Sequence, residues 1–460
     1  MTITLFSGGT VVNAGGSQVA DLLVIHGKVA AVGQLGAMAG PDVDVIDVTG
    51  RLLLPGGVDV HTHLDSGLNG PVTADDFLSG TMAAAAGGTT TLVDFASQAP
   101  GQPLMEALEV HAAKAEGRAV IDYGFHSVVS DLYDGALTDV AEVVAAGVTS
   151  LKVFMAYRGT LMIDDGQLFD VLRTASGHGA QVCVHAENGD IIDRLAADLV
   201  ASGRTGPKSH LLSRPPSTEI EAVRRGIAIA AMAQAPIYFV HVSTGGAVEA
   251  IAEARHHGAP VSGETCTHYL TLDPSLYDQS GFKAAEVVIS PPLRELEHRD
   301  ALWRGLGAGE LSVVSSDHCP YCIADKQLGS DDFRQIPNGG PGVEHRLPVV
   351  FGQGVATGRL TVERFVDLVS TGPARQFGLY PAKGALQPGS DADVVILDPS
   401  GTTTITRATQ VQRVDYTPYE GWELPGRIVR VYSRGTLLVR DGTYVGPAGH
   451  GRFVRRATLA

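Results

Sequence analysis

His61 and His63 stand one residue apart at the end of the run Gly57-Val58-Asp59-Val60-His61-Thr62-His63. In an extended strand, side chains two residues apart share a face, so both imidazoles project to one side. That is half of a metal site, and taken alone it is equally a surface strand carrying two histidines. Other chemistry-bearing side chains close short apolar runs in the same way: Lys152 in Leu151-Lys152-Val153-Phe154, His185 in Cys183-Val184-His185, His241 in Phe239-Val240-His241, and Asp317 in Ser315-Ser316-Asp317. A lone His185 or His241 reads as a satisfied core histidine; their joint placement at strand ends argues for a site. Neutral imidazole and carboxylate suit zinc and similar divalent ions, and this many ligands exceeds what one tetrahedral ion takes, so two metals are the natural count. Lys152 is the odd member, because an ammonium with an unperturbed pKa of about 10.4 is repelled by two dications. Addition of CO2 to its neutral amine gives a carbamate whose two oxygens bridge both ions. The alternative is a rim ion pair with a carboxylate. Two cations need a bridging anion, which favours the carbamate.

The elements that must position these groups follow from the patterning. Strand windows at 58–61, 89–95, 123–129, 150–155, 181–185, 237–242, 261–265 and 313–316 are mostly separated by helical patterns. In 166–176, Leu168, Val171, Leu172 and Ala175 recur at helical spacing behind the capping residues Asp164 and Asp165. In 246–256, Val248, Ile251, Ala252 and Ala254 do the same. Eight strands in this rhythm predict an α/β fold, a TIM-like (β/α)8 barrel over residues 55–380, whose chemistry sits at the C-terminal ends of the strands. Short strands and a His26-Gly27 turn fill residues 1–54, and the same texture returns in 381–460, in Asp393-Val394-Val395-Ile396-Leu397, Ile428-Val429-Arg430-Val431-Tyr432 and Thr436-Leu437-Leu438-Val439. The two ends are expected to pair into one accessory β-sandwich domain.

A formal net charge of -16 over 460 residues argues against a nucleic-acid surface and against anionic membranes, and leaves a small neutral substrate open. The first residues lack a basic region ahead of an apolar one, and no apolar run is long enough to span a bilayer, so a cytoplasmic protein is expected. Cys183, Cys266, Cys319 and Cys322 are too scattered for a disulfide framework. Cys319-Pro320-Tyr321-Cys322 has CxxC spacing without the second pair a structural zinc needs, and reads as coincidence.

Several longer stretches are more specific than any HxH pair. They are Gly57-Val58-Asp59-Val60-His61-Thr62-His63-Leu64-Asp65, Thr73-Ala74-Asp75-Asp76-Phe77, Leu151-Lys152-Val153-Phe154-Met155-Ala156-Tyr157 and His185-Ala186-Glu187-Asn188, followed by Ser290-Pro291-Pro292-Leu293-Arg294, Ser316-Asp317-His318-Cys319-Pro320 and Ile336-Pro337-Asn338-Gly339-Gly340-Pro341-Gly342-Val343-Glu344. In these the chain resembles the cyclic amidohydrolases, and most closely D-hydantoinase and dihydropyrimidinase. The resemblance implies two divalent ions, zinc or else manganese or cobalt, bridged by N6-carboxylated Lys152. His61 and His63 would hold one ion with Lys152 and Asp317, and His185 and His241 the other. It implies hydrolysis of the ring amide of hydantoins or 5,6-dihydropyrimidines to N-carbamoyl amino acids by a metal-bridging hydroxide. Asp317 would be general base and then general acid, and Tyr157 the oxyanion donor. Tyr157, Ser290 and Asn338 would grip a small cyclic imide or ureide, the last two through backbone groups. Leu64, Leu68 and Phe154 would border the pocket for the ring substituent.

Two features depart from or narrow the pattern. Ser66-Gly67-Leu68-Asn69-Gly70 is smaller than the proline and aromatic more usual in the family, which leaves room for a bulkier substituent. No arginine follows His63 closely, as one does in dihydroorotases. Allantoinase shares the metal ligands and is the enzymatic alternative; a non-enzymatic dihydropyrimidinase-like binding protein is the other. The resemblance also implies a homotetramer.

Overall fold

The computed structural model describes residues 3–67, 70–133 and 135–459. The expected substituent residue Leu68, with Asn69, lies outside the described residues. Eight strands form the central sheet: β1 (Gly57–Thr62), β2 (Thr89–Ala96), β3 (Asp122–Val128), β4 (Ser150–Phe154), β5 (Gln181–His185), β6 (Ile237–Phe239), β7 (Val261–Cys266) and β8 (Val313–Ser315). They pair in that order, each parallel to the next. Nearly every residue in them is buried, as a parallel sheet covered on both faces requires. The barrel expected from the alternation is the fold observed.

Helices cover the outside of the sheet for local reasons. The helix Asp165–Gly177 starts at Asp164, whose carboxylate accepts the Gln167 N–H at 2.8 Å while the Gln167 side chain accepts the Asp164 N–H at 2.8 Å. This reciprocal cap satisfies two donors that the first turn leaves free. The helix then buries Leu168, Val171, Leu172 and Ala175. In Gly245–His256, the core face carries Ala247, Val248, Ala250 and Ile251, whereas Ala252 and Ala254 are half-buried.

The seam between β8 and β1 decides where chemistry can occur. Thr62 and His318 form a parallel bridge across it, and the His63 N–H donates to the His318 carbonyl at 2.8 Å. Ser316 Oγ donates to the His61 carbonyl at 3.2 Å. These bonds draw His61, His63 and Asp317, from opposite ends of the barrel sequence, onto one rim. Strand β6 stops at Phe239, short of the expected Val242, because the backbone turns at His241, which has φ of 41°.

Both termini contribute to one nine-stranded sheet, joined where Leu52–Pro55 pairs antiparallel with Val394–Ile405. Its own core includes Phe6, Val11, Leu22, Leu53, Val394 and Tyr432. His26 and Gly27, at φ 52° and 74°, make the tight turn between two of its strands. Buried Lys383 ties the two parts together, reaching Asp122 at the foot of β3 at 2.6 Å, Asp393 at 2.8 Å and Asp391 at 3.0 Å. The C-terminal tail then runs across the barrel's lower end. Val454 donates to the Tyr123 carbonyl, Arg456 to that of Gly147 and Leu459 to that of Gly179. Arg456 is buried there, its guanidinium on the Phe125 carbonyl and the Ser150 hydroxyl.

Candidate active site

The upper end of the barrel holds the first group of ligands. His61 and His63 project from the end of β1, and Asp317 follows β8 with φ of 48°. Asp317 Oδ1 lies 3.1 Å from His61 Nε2 and 3.3 Å from His63 Nε2. These ligand atoms lie within 4.8 Å of one another, close enough to share one ion. The other nitrogen of His61, Nδ1, is 2.5 Å from Glu264 Oε1 on β7, which fixes the ring and leaves Nε2 turned to the cavity. Burial opposes a charge on His61, but the carboxylates of Asp317 and Glu264 outweigh it and push the imidazole up to about 9. Burial likewise works against an ionised Asp317, yet His61 and His63 hold its carboxyl well below the usual range.

A second group sits across the barrel. His185 at the end of β5 and His241 beyond β6 approach with Nδ1 and Nε2 2.8 Å apart. His185 Nε2 is 2.8 Å from Glu187 Oε2, which also accepts Arg214 Nη1 at 2.5 Å. Burial holds both imidazoles below their ordinary pKa, and His241 well below it. Neutral imidazole is the form that ligates a metal. Glu187 stays ionised: burial raises its carboxyl, but Arg214 carries it down to about 2.

Lys152 lies between the two groups. It is 1 % exposed, and its Nζ rests 5.1 Å from the Phe95 ring centroid and 5.0 Å from that of Phe154. Among the described residues no carboxylate pairs with its Nζ, so the rim ion pair weighed from sequence is not formed. Burial lowers the amine to about 8, leaving a neutral fraction near pH 7. A buried amine without an anion, four inward imidazoles, one carboxylate and unpartnered buried nitrogens on His63 and His241 fit a pair of divalent ions sharing a carbamate.

All six of these residues line one cavity with Phe154, Tyr157, Ser290 and Asn338. Tyr157 has φ of 67°, a left-handed conformation rare outside glycine and frequent where function holds a side chain in place. The carbonyl of Tyr157 accepts the N–H groups of Thr160, Leu161 and Met162, which locks that turn. Its ring packs 5.2 Å from His185 and under the Arg214 guanidinium at 5.3 Å. Burial pushes its hydroxyl up to about 12, so at neutral pH it is a donor. Leu64 is a correction. It is fully buried, and its methyls occupy the space that a side chain at Gly80 would need, so it serves the core behind the cavity.

Three further site residues had no role in the sequence reading: Glu264, Arg214, and Glu187, which stood only within the stretch His185-Ala186-Glu187-Asn188. The signal for Glu264 was available, since an acid inside the buried strand Val261–Cys266 needs a partner. Glu187 stands two residues after His185, the spacing that paired His61 with His63, whereas Arg214 carried no such signal. Cys319, set aside with its CxxC, also lines the cavity, as a free thiol.

Comparison with known proteins adds an independent line. The profile of the amidohydrolase family matches residues 52–438. The chain is 47% identical over 455 residues to the D-hydantoinase of Geobacillus stearothermophilus, covering 98% of this chain and 96% of that one. It is 45% identical over 459 residues to the D-hydantoinase of Streptomyces coelicolor, covering 99% and 98%. The crystal structure of dihydropyrimidinase from Brevibacillus agri superposes with a TM-score of 0.98 at 48% identity, over 100% of each chain.

Proposed function

Because the chain belongs to the amidohydrolase family, we propose that it opens the ring amide of hydantoins and 5,6-dihydropyrimidines by hydrolysis, giving N-carbamoyl amino acids. The observation that carries the reading is the convergence of His61, His63, Lys152, His185, His241 and Asp317 on one cavity whose wall also holds Tyr157, Ser290 and Asn338. His61, His63 and Asp317 would hold one divalent ion and His185 and His241 the other, with carboxylated Lys152 between them; zinc suits this donor set. When bound, such a pair supplies a water nucleophile at neutral pH and polarises the substrate carbonyl.

The chain's own groups do the rest. Backbone around Ser290 and Asn338 orients the ring so that its carbonyl faces Tyr157. The Tyr157 hydroxyl donates to the carbonyl oxygen as negative charge develops on it, and its high pKa keeps the proton in place for that task. Asp317 takes a proton from the attacking water and returns it to the leaving ring nitrogen, without which that ureido nitrogen departs poorly. Glu264 and Glu187 hold His61 and His185 in their working orientations. Relatives named D-hydantoinase support selectivity for the D enantiomer.

The test is a panel of hydantoin, 5-substituted hydantoins, dihydrouracil and allantoin, assayed with the metal-loaded chain and with chiral analysis of products. Ring opening of hydantoins or dihydrouracil to N-carbamoyl amino acids is expected, with D products from the 5-substituted hydantoins. Turnover of allantoin alone, or of none of them, would overturn the proposal. In Tyr157→Phe, kcat should fall by about 10²–10³ with little change in KM, because the lost bond forms mainly in the transition state; steady-state rates with hydantoin check this. The same proposal places the enzyme in the cytoplasm, where free thiols such as its four cysteines persist. It also takes the enzyme as a homotetramer, supported by the likeness to hydantoinases and testable by light scattering against the 48.0 kDa chain.

A further inference from the structure

We infer that Lys326 is a positioning residue that binds the Ser290 and Asn338 segments into one rigid holder for the substrate ring. The inference rests on the ring-opening reading above. Lys326 closes the short helix Ile323–Lys326, and its side chain is fully buried. Its Nζ donates to three backbone carbonyls: Val288 at 3.2 Å, Pro337 at 3.0 Å and Gly339 at 2.9 Å. An ammonium has three protons, so all are used. Among the described residues no carboxylate pairs with it. Burial draws its pKa down, to about 7, with Cys319 and Glu286 acting the other way. Three carbonyl oxygens together can be satisfied only by the protonated form.

The acceptors are the informative part. Val288 lies two residues before Ser290, and Pro337 and Gly339 flank Asn338. Ser290, Asn338 and Gly339 line the cavity, whereas Lys326 does not, so any influence on the substrate passes through the backbone. A trans peptide sets its C=O and N–H in opposite directions. Turning the Pro337 carbonyl toward Lys326 therefore aims the Asn338 N–H away from it, and turning the Val288 carbonyl does the same for the Ile289 N–H. The two segments are otherwise joined by the Gly339 N–H on the Val288 carbonyl, at 3.0 Å. Ser290's segment is further held by His210 Nε2, which donates to the Ile289 carbonyl at 2.8 Å. Gly339, with φ of 149°, sits where a side chain would meet the Cys319 carbonyl, so this strand of backbone has one narrow path. Without the cation, the Pro337 and Gly339 carbonyls lose the Lys326 bond and the Val288 carbonyl keeps only the Gly339 N–H, so the two edges of the holder are joined by a single bond.

Such a residue acts on binding more than on chemistry. In Lys326→Met, KM for hydantoin should rise by about 10- to 100-fold while kcat stays within about threefold, the pattern of lost uniform binding. Metal content should match the parent enzyme. Lys326→Arg, which keeps a cation, should recover part of the KM, and Lys326→Gln should resemble the methionine variant. A methionine variant with parental KM, or a loss carried by kcat alone, overturns the inference. Failure of both neutral variants to fold also overturns it, by assigning the ammonium to the fold. The parent enzyme assayed beside them separates the two levels: its inactivity on every ring substrate would sink the ring-opening reading, while parental activity with an unaltered variant sinks the role of Lys326 alone.

Discussion

Replacing Asp317 with asparagine should lower kcat on hydantoin by about 10⁴ while leaving the barrel folded. The carboxylate stands between two imidazoles, 3.1 Å and 3.3 Å away, which against the effect of burial hold its carboxyl well below the usual range. Among the described residues that line the cavity it is the one carboxylate. Asparagine has nearly the same shape and still offers an oxygen, but its amide nitrogen cannot carry a proton from water to the leaving group. Shape is kept and proton transfer is lost. Initial rates, with metal analysis and circular dichroism on the same preparation, check the claim. A folded, metal-loaded Asp317→Asn enzyme keeping a tenth of the parental rate would remove Asp317 from the proton path.

The second large effect is expected from Lys152→Ala. The parent amine is buried without an anion, and its lowered pKa would supply the neutral form that the proposed addition of CO2 requires. Alanine would remove the proposed bridging group, so the variant should lose metal and activity together, by more than about 10³-fold, or roughly 4 kcal/mol of barrier. Short carboxylic acids fit the space left by the side chain and present two oxygens, so millimolar propionate should restore part of both. Native mass spectrometry of the parent should show the added CO2, released by acid. Unchanged metal content and rate in Lys152→Ala would rule out the bridge.

Much of this was legible in the sequence, and the physical reasons differ from residue to residue. His61 and His63 could be paired because a strand repeats every two residues, and the barrel followed from the rhythm of the strands. The rule stops short of Leu64: the strand ends at Thr62, so alternation does not say where Leu64 turns, and the structure buries it. The left-handed backbone at Tyr157, His241 and Asp317 left no trace in residue type, since none is a glycine. Tertiary contacts impose it. Lys326 was equally silent, because its partners are carbonyls, which every residue carries. The joining of the two termini was suggested by texture, but the register of Leu52–Pro55 against Val394–Ile405 depends on pairing between distant segments, which local patterns do not encode.

The tail beneath the barrel bears on how such a catalyst is handled. Residues up to Leu459 are stitched to the foot of the strands, opposite the end where the ligands gather. The same stitching carries a cost for protein engineering: trimming the chain back past Arg456 to shorten it would open the floor of the barrel to solvent and cost heat resistance before it touched turnover.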